Sequence, residues 1–62
     1  MKEYFITLEI CDSHGYTLGV ENHTINAIDL LDLYEQINDL VEEKQTKKNY
    51  IRVTEIEEGE EI

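Results

Sequence analysis

The chain reads as an α+β fold of order β-β-α-β, a three-stranded antiparallel sheet with one amphipathic helix packed on one face, forming a single small domain over residues 1–62. Three observations predict it. Residues 4–11 alternate with period two, residues 29–44 carry apolar side chains at helical spacing, and residues 50–56 are rich in β-branched and aromatic types.

The first strand sets Tyr4, Ile6, Leu8 and Ile10 on one face and Phe5, Thr7, Glu9 and Cys11 on the other. Asp12-Ser13-His14-Gly15 is a cluster of turn formers, with Gly15 free to take positive φ. Tyr16, Leu18 and Val20 then alternate again, so the first 21 residues predict a hairpin. Gly19, inside the second strand, marks a bulge or a close backbone approach. A helix capped by Asn26 or Asp29 follows, with Leu30, Leu33, Tyr34, Ile37, Leu40 and Val41 as its apolar face, set against the hairpin. It is expected to fray after Lys44, where Lys44, Lys47 and Lys48 suit the negative pole of the helix dipole. Tyr50 to Ile56 make the third strand, and residues 57–62, Glu-Glu-Gly-Glu-Glu-Ile, read as a mobile acidic tail. Periodicity does not decide whether this strand pairs with the first or forms a sheet edge.

So short a chain buries only about 60% of the surface its unfolded form exposes. That leaves no room for a deep substrate cavity and favours oligomerisation, here a symmetric dimer. A single cysteine, Cys11, excludes an internal disulfide and a four-thiolate zinc site, and suits a reducing cytoplasm. The opening MKEYFITLEI has no signal-peptide pattern and no segment nears the ~20 apolar residues of a membrane span, so a soluble cytoplasmic protein is expected. Fifteen acidic against five basic residues give a net charge of −10. Such a surface repels phosphates, so neither nucleic acid nor an anionic membrane is an expected partner.

Solubility asks for a net charge of only about 2 to 8, and much of the excess is concentrated on the helix. Asp29, Asp32, Glu35, Asp39, Glu42 and Glu43 fall within an arc of about 220° to 360° measured from Asp29, while the main apolar stripe spans about 20° to 140°. Leu31 lies beside the acids near 200° and Tyr34 at the stripe's edge near 140°, with Ala27 and Asn38 between them, giving a semi-apolar strip next to a carboxylate field. Along the axis the acids come at about one per 3.5 Å, against about one charge per 3.4 Å for one strand of duplex DNA. Like charges at i,i+4, such as Glu35 with Asp39, oppose helix formation by a few tenths of a kcal/mol. A solvated acidic face is the plain reading of the charge. Apolar anchors inside a charged rim are the interface reading, and the strip favours it.

Residues 5–34, about half of the chain, resemble the small dimeric uracil-DNA glycosylase inhibitors of Bacillus phages, which bind the glycosylase in place of DNA. The likeness rests on a strand containing Thr7, a turn with Asp12 and Gly15, a second strand, and the helix motif Asp29-Leu30-Leu31-Asp32-Leu33-Tyr34. The resemblance implies that Tyr34 faces the enzyme and that Leu30 stands where a family aromatic helps form an apolar pocket across the dimer. Leu31 departs from the pattern, since the family carries a glutamate that contacts the enzyme there, and Asp32 or Glu35 would have to supply that contact. The helix is also longer than the family's, and the correspondence ends after Tyr34.

Such an inhibitor needs carboxylates where phosphates would lie and an apolar receptacle for the side chain that a glycosylase pushes into the base stack. The partner-binding set expected here is Leu30, Leu31, Asp32, Tyr34, Glu35 and Asp39, acting as a homodimer on a host uracil-DNA glycosylase in the host-cell cytoplasm. A restriction or CRISPR nuclease is the alternative target, and a non-inhibitory acidic dimerisation module is the alternative class. Other chemistries lack the arrangements they require. His14, His23, Cys11 and Asp12 lack metal-ligand spacing, Cys11 lacks an electropositive setting, Glu57 and Glu58 lack desolvating walls, and Gly15, Gly19 and Gly59 are scattered. No cofactor, metal or catalytic activity is expected.

Overall fold

The computed structural model describes Met1–Glu61. It is α+β, with β1 (Lys2–Asp12), β2 (Thr17–Ala27), α1 (Leu30–Lys44) and β3 (Asn49–Glu61). The strands form one antiparallel sheet in the order β2-β1-β3. β3 therefore pairs with β1 and is also an edge. The Cα envelope measures 38 × 16 × 12 Å, a long thin slab with the helix on one face.

The β1–β2 turn is built as its residues suggest. Asp12 Oδ1 accepts from the backbone N–H groups of His14 (2.9 Å) and Tyr16 (3.0 Å), and Gly15 takes φ +89°. This Asx-type arrangement satisfies turn donors that would otherwise face water alone.

β2 runs six residues beyond the expected hairpin, and this changes which of its residues face the helix. Tyr4 pairs with Ile25, Ile6 with His23, Leu8 with Glu21 and Ile10 with Gly19, so the odd-numbered residues of β2 point inward. Tyr16, Leu18 and Val20, expected on the hairpin's apolar face, are instead exposed. Ile25 and Ala27 are buried, and they decide the register, because a slip of one residue would send both to solvent. Ala27 therefore belongs to the sheet core and not to a strip on the helix. His23, expected in a loop, is a strand residue. The expected irregularity near Gly19 is present as a register shift between Ile10 and Cys11, where Leu18 is left without a partner on β1. A Cβ at Gly19 would meet nothing within 4 Å, so no close backbone approach occurs there.

The core joins all four elements: Tyr4, Ile6 and Leu8 of β1, Ile25 and Ala27 of β2, and Leu33 and Ile37 of α1, with Leu40, Val41, Ile51 and Val53 packed against them. Burial of this set, at about 25 cal/mol per Å² of apolar surface, is the main force holding the helix to the sheet. Cys11 is also fully buried, although it stands apart from this cluster. β3 continues through residues 57–61, the segment expected to be a mobile tail, with Glu57 opposite Phe5, Glu58 opposite Tyr4 and Glu61 opposite Lys2. Ion pairs of Lys2 with Glu58 and of the N-terminal amine with Glu61 accompany that pairing. Ile62, the last residue of the expected tail, lies outside the described residues.

Candidate partner-binding surface on the helix

Asp29 begins the helix, and Asn26 does not. Asp29 is extended (φ −155°, ψ −178°), its Oδ1 accepts from Asp32 N at 2.8 Å, and its carbonyl oxygen accepts from Leu33 N. Asp32 answers with Oδ2, which accepts from the Ile28 N–H (3.0 Å) and from Gln36 Nε2 (3.2 Å). The two aspartates thus close a reciprocal cap at the positive end of the helix, where carboxylates are stabilising. Asp32, expected among the partner contacts, has both a half-buried position and an internal structural role.

Leu33 and Ile37 point into the sheet and fix the orientation of the whole helix. Opposite them, Asp29, Glu35, Asp39, Glu42 and Glu43 are exposed. Leu30 (57% exposed), Leu31 (69%) and Tyr34 (51%) are open enough for their side chains to meet a partner, although Leu30 and Tyr34 continue the apolar stripe in sequence. The packed part of the stripe begins at Leu33. With exposed Ile28 just before the cap, these residues leave several large apolar side chains open around the start of the helix, beside the acids.

Leu30, Leu31, Tyr34 and Glu35 are therefore brought together by i,i+3 and i,i+4 spacing. Asp39 lies elsewhere. It is on the β2 side of the helix, where Gln36, Asp39, Leu40 and Glu43 face His23, Thr24 and Ile25 across an open groove of about 360 Å³. Gln36 Nε2 closes one end of that groove by donating to the Asn26 carbonyl oxygen at 2.9 Å. At the other end Glu21 Oε1 lies 2.7 Å from Lys44 Nζ and 2.8 Å from His23 Nε2. Hydrogen bonds from Lys44 and then His23 hold the Glu21 carboxyl below the ordinary carboxylate range. Gln36, Leu40, Glu43 and His23 were not legible as a group, because the polar run Glu-Asn-His-Thr-Ile-Asn does not announce a strand.

Among the described residues four of the eight strand glutamates are ion-paired, and Glu3, Glu55, Glu57 and Glu60 are not. Every ion pair among the described residues uses a strand glutamate: Glu9 with Arg52, Glu21 with Lys44 and with His23, Glu58 with Lys2, and Glu61 with the N-terminal amine. None of the six helix acids has a cationic partner in this set. Arg52, bonded to Glu9 at 2.5 Å, holds that carboxyl below its ordinary range, with a further hydrogen bond from Thr17.

No group of three or more His, Cys, Asp or Glu side chains among the described residues is placed to hold a metal ion, and no helix among them is long and apolar enough to cross a membrane. No protein-family model matches the chain, and no curated protein or solved structure is significantly similar to it.

Proposed function

We propose that the protein is a non-catalytic DNA mimic, which lays the acidic face of α1 in the basic DNA groove of a host enzyme and so blocks it. The observation that carries this reading is the absence of any cationic partner, among the described residues, for the six helix acids, while Glu9, Glu21, Glu58 and Glu61 of the strands are paired. Carboxylates left unpaired on one face keep their full field for a partner, at the cost of the like-charge repulsion they exert on the helix. The exposed Leu30, Leu31 and Tyr34 beside them supply apolar contact area of the sort that fixes a complex once charge has steered it in.

Uracil-DNA glycosylase is the target we favour, on the resemblance of residues 5–34 and on the match between an apolar end and the side chain such an enzyme inserts on flipping its base. A second copy, related by a two-fold axis, would double that apolar end into a receptacle. Asp32 is committed to the helix cap, which leaves Glu35 as the acidic contact in the position Leu31 vacates. Another enzyme with a basic DNA groove, a restriction or CRISPR nuclease, would meet the same face.

The test is uracil excision by a bacterial glycosylase on a uracil-containing oligonucleotide, with purified protein added at two salt concentrations. Stoichiometric inhibition that weakens as salt rises is expected. Lack of inhibition at a large excess would remove this target. A second reading, a dimerisation module whose acids serve only solubility, is favoured by exposed Phe5, Leu18 and Val20 on the sheet face away from the helix. It predicts self-association without inhibition.

A further inference from the structure

The two edges of the sheet are protected very differently. The β3 edge carries Arg52 and five glutamates, Glu55, Glu57, Glu58, Glu60 and Glu61, and its register with β1 is broken twice, between Lys2 and Tyr4 and between Thr7 and Leu8. Charges and bulges of this kind keep an edge from pairing with another strand. β2 pairs with β1 without a break from Lys2–Ala27 to Ile10–Gly19, contains no proline, and has Glu21 as its one acidic or basic residue other than His23. Glu21 is turned inward and engaged by Lys44 and His23. Nine ladder positions of unbroken, nearly neutral strand are thus left with an unpaired outer side.

Beside that edge lies the groove between β2 and α1, about 360 Å³, with Ile25 and Leu40 giving apolar surface and Asp39 and Glu43 standing on its helix side. Neither acid has an ion-pair partner among the described residues. A strand added to β2 would point alternate side chains toward the helix face of the sheet and hence into this groove. An arginine or lysine there would lie with its stem on Leu40 and Ile25 and its head between two carboxylates one helical turn apart.

We propose that the β2 edge and this groove form a docking site for an extended basic segment of a partner protein, bound by strand addition with a cationic side chain seated between Asp39 and Glu43. A second copy of the chain fits less well. Antiparallel β2–β2 pairing makes one continuous sheet with both helices on the same face, and brings the Asp39 and Glu43 rows of two strongly negative molecules together. A basic segment removes that conflict and satisfies the same backbone groups. The proposal shares Asp39 and Glu43 with the acidic face invoked for DNA mimicry but needs neither glycosylase inhibition nor Leu30, Leu31 and Tyr34, which lie on the other margin of the helix.

The test is an NMR titration of the isotope-labelled protein at low salt with a short, acetylated and amidated peptide in which arginine alternates with threonine. The same peptide N-methylated at alternate backbone nitrogens is the control, with equal charge and no ability to pair on that side. The expected result is saturable shifts confined to β2 amides and the Leu40 and Ile25 methyls, with inter-strand contacts to the peptide. N-methylation, or Asp39→Asn with Glu43→Gln, should weaken binding about tenfold or more. Equal shifts from both peptides, spread over Asp29, Glu35 and Glu42, would show non-specific charge attraction and overturn the proposal. So would no binding at millimolar peptide, or β2–β2 contacts between copies in the free protein.

Discussion

Phe5 lies directly over Gly59: a Cβ at residue 59 would stand 2.9 Å from Phe5 Cε2 and 2.9 Å from the Glu3 carbonyl oxygen. The aromatic ring covers backbone that no side chain shields, at the point where β3 slips register against β1. This contact helps to explain why five closely spaced glutamates follow the strand path instead of hanging free. Gly59→Ala should lower stability by about 1–3 kcal/mol, the usual penalty of overpacking. A denaturant midpoint within error of the wild type would show that β3 is free to move away from Phe5.

Leu33 and its exposed neighbours should separate cleanly on mutation. Leu33→Ala removes a fully buried side chain and should cost about 2–5 kcal/mol. Tyr34→Ala and Leu31→Ala should each change stability by less than about 0.5 kcal/mol, the range typical of exposed positions, and should weaken inhibition of the target enzyme. Circular dichroism melts and the excision assay read the two effects independently. Unfolding of the Tyr34→Ala variant would make Tyr34 a core residue and remove it from the binding surface.

Acid should erase the contribution of the Glu21 cluster. A carboxyl whose folded pKa is depressed gives stability that is fully present above its unfolded value, near 4.3, and is lost as pH falls through the lower folded value. Lys44 and His23 depress Glu21 in this way. The stability gap between wild type and Glu21→Gln is therefore expected to hold down to about pH 4.5 and to shrink below it. Chemical denaturation across that range checks it, and a gap that widens on acidification would show that Glu21 is not held by its neighbours.

Added salt should stabilise the fold. Ten net negative charges repel one another, and the few ion pairs are at the surface, where each contributes little. Screening between low ionic strength and about 0.15 M, where the Debye length falls to about 8 Å, should raise the melting temperature. A drop would mean that Glu9–Arg52, Glu21–Lys44 and Lys2–Glu58 outweigh the repulsion.

Much of this architecture was legible because strong periodicity and burial agree. Tyr4, Ile6 and Leu8 alternate and are buried, Leu33 and Ile37 recur at helical spacing and are buried, and Asp12 with Gly15 makes the turn. The inward face of β2 was not legible, since the apolar residues Leu18 and Val20 are the exposed ones and the inward Glu21 and His23 are polar groups that satisfy each other. The end of β3 was missed for a related reason. Local composition describes a charged tail, while pairing to β1 and the Phe5–Gly59 contact are long-range facts. Of the expected binding residues, Leu30, Leu31, Tyr34 and Glu35 share one end of the helix, whereas Asp32 belongs to the cap and Asp39 to the β2 groove.

Lys2, Lys44 and Arg52 are all engaged by strand glutamates, and none of the six acids of the helix face has a cation beside it among the described residues. The molecule is therefore a negative slab with an acidic ridge along its helix and a second acidic row on β3, Glu55, Glu57, Glu58, Glu60 and Glu61. A positively charged neighbour exerts a torque on such a body as well as a pull, turning an acidic row toward itself while the two are still separated by several layers of water. What the helix gives up in intrinsic stability, it returns as orientation before contact.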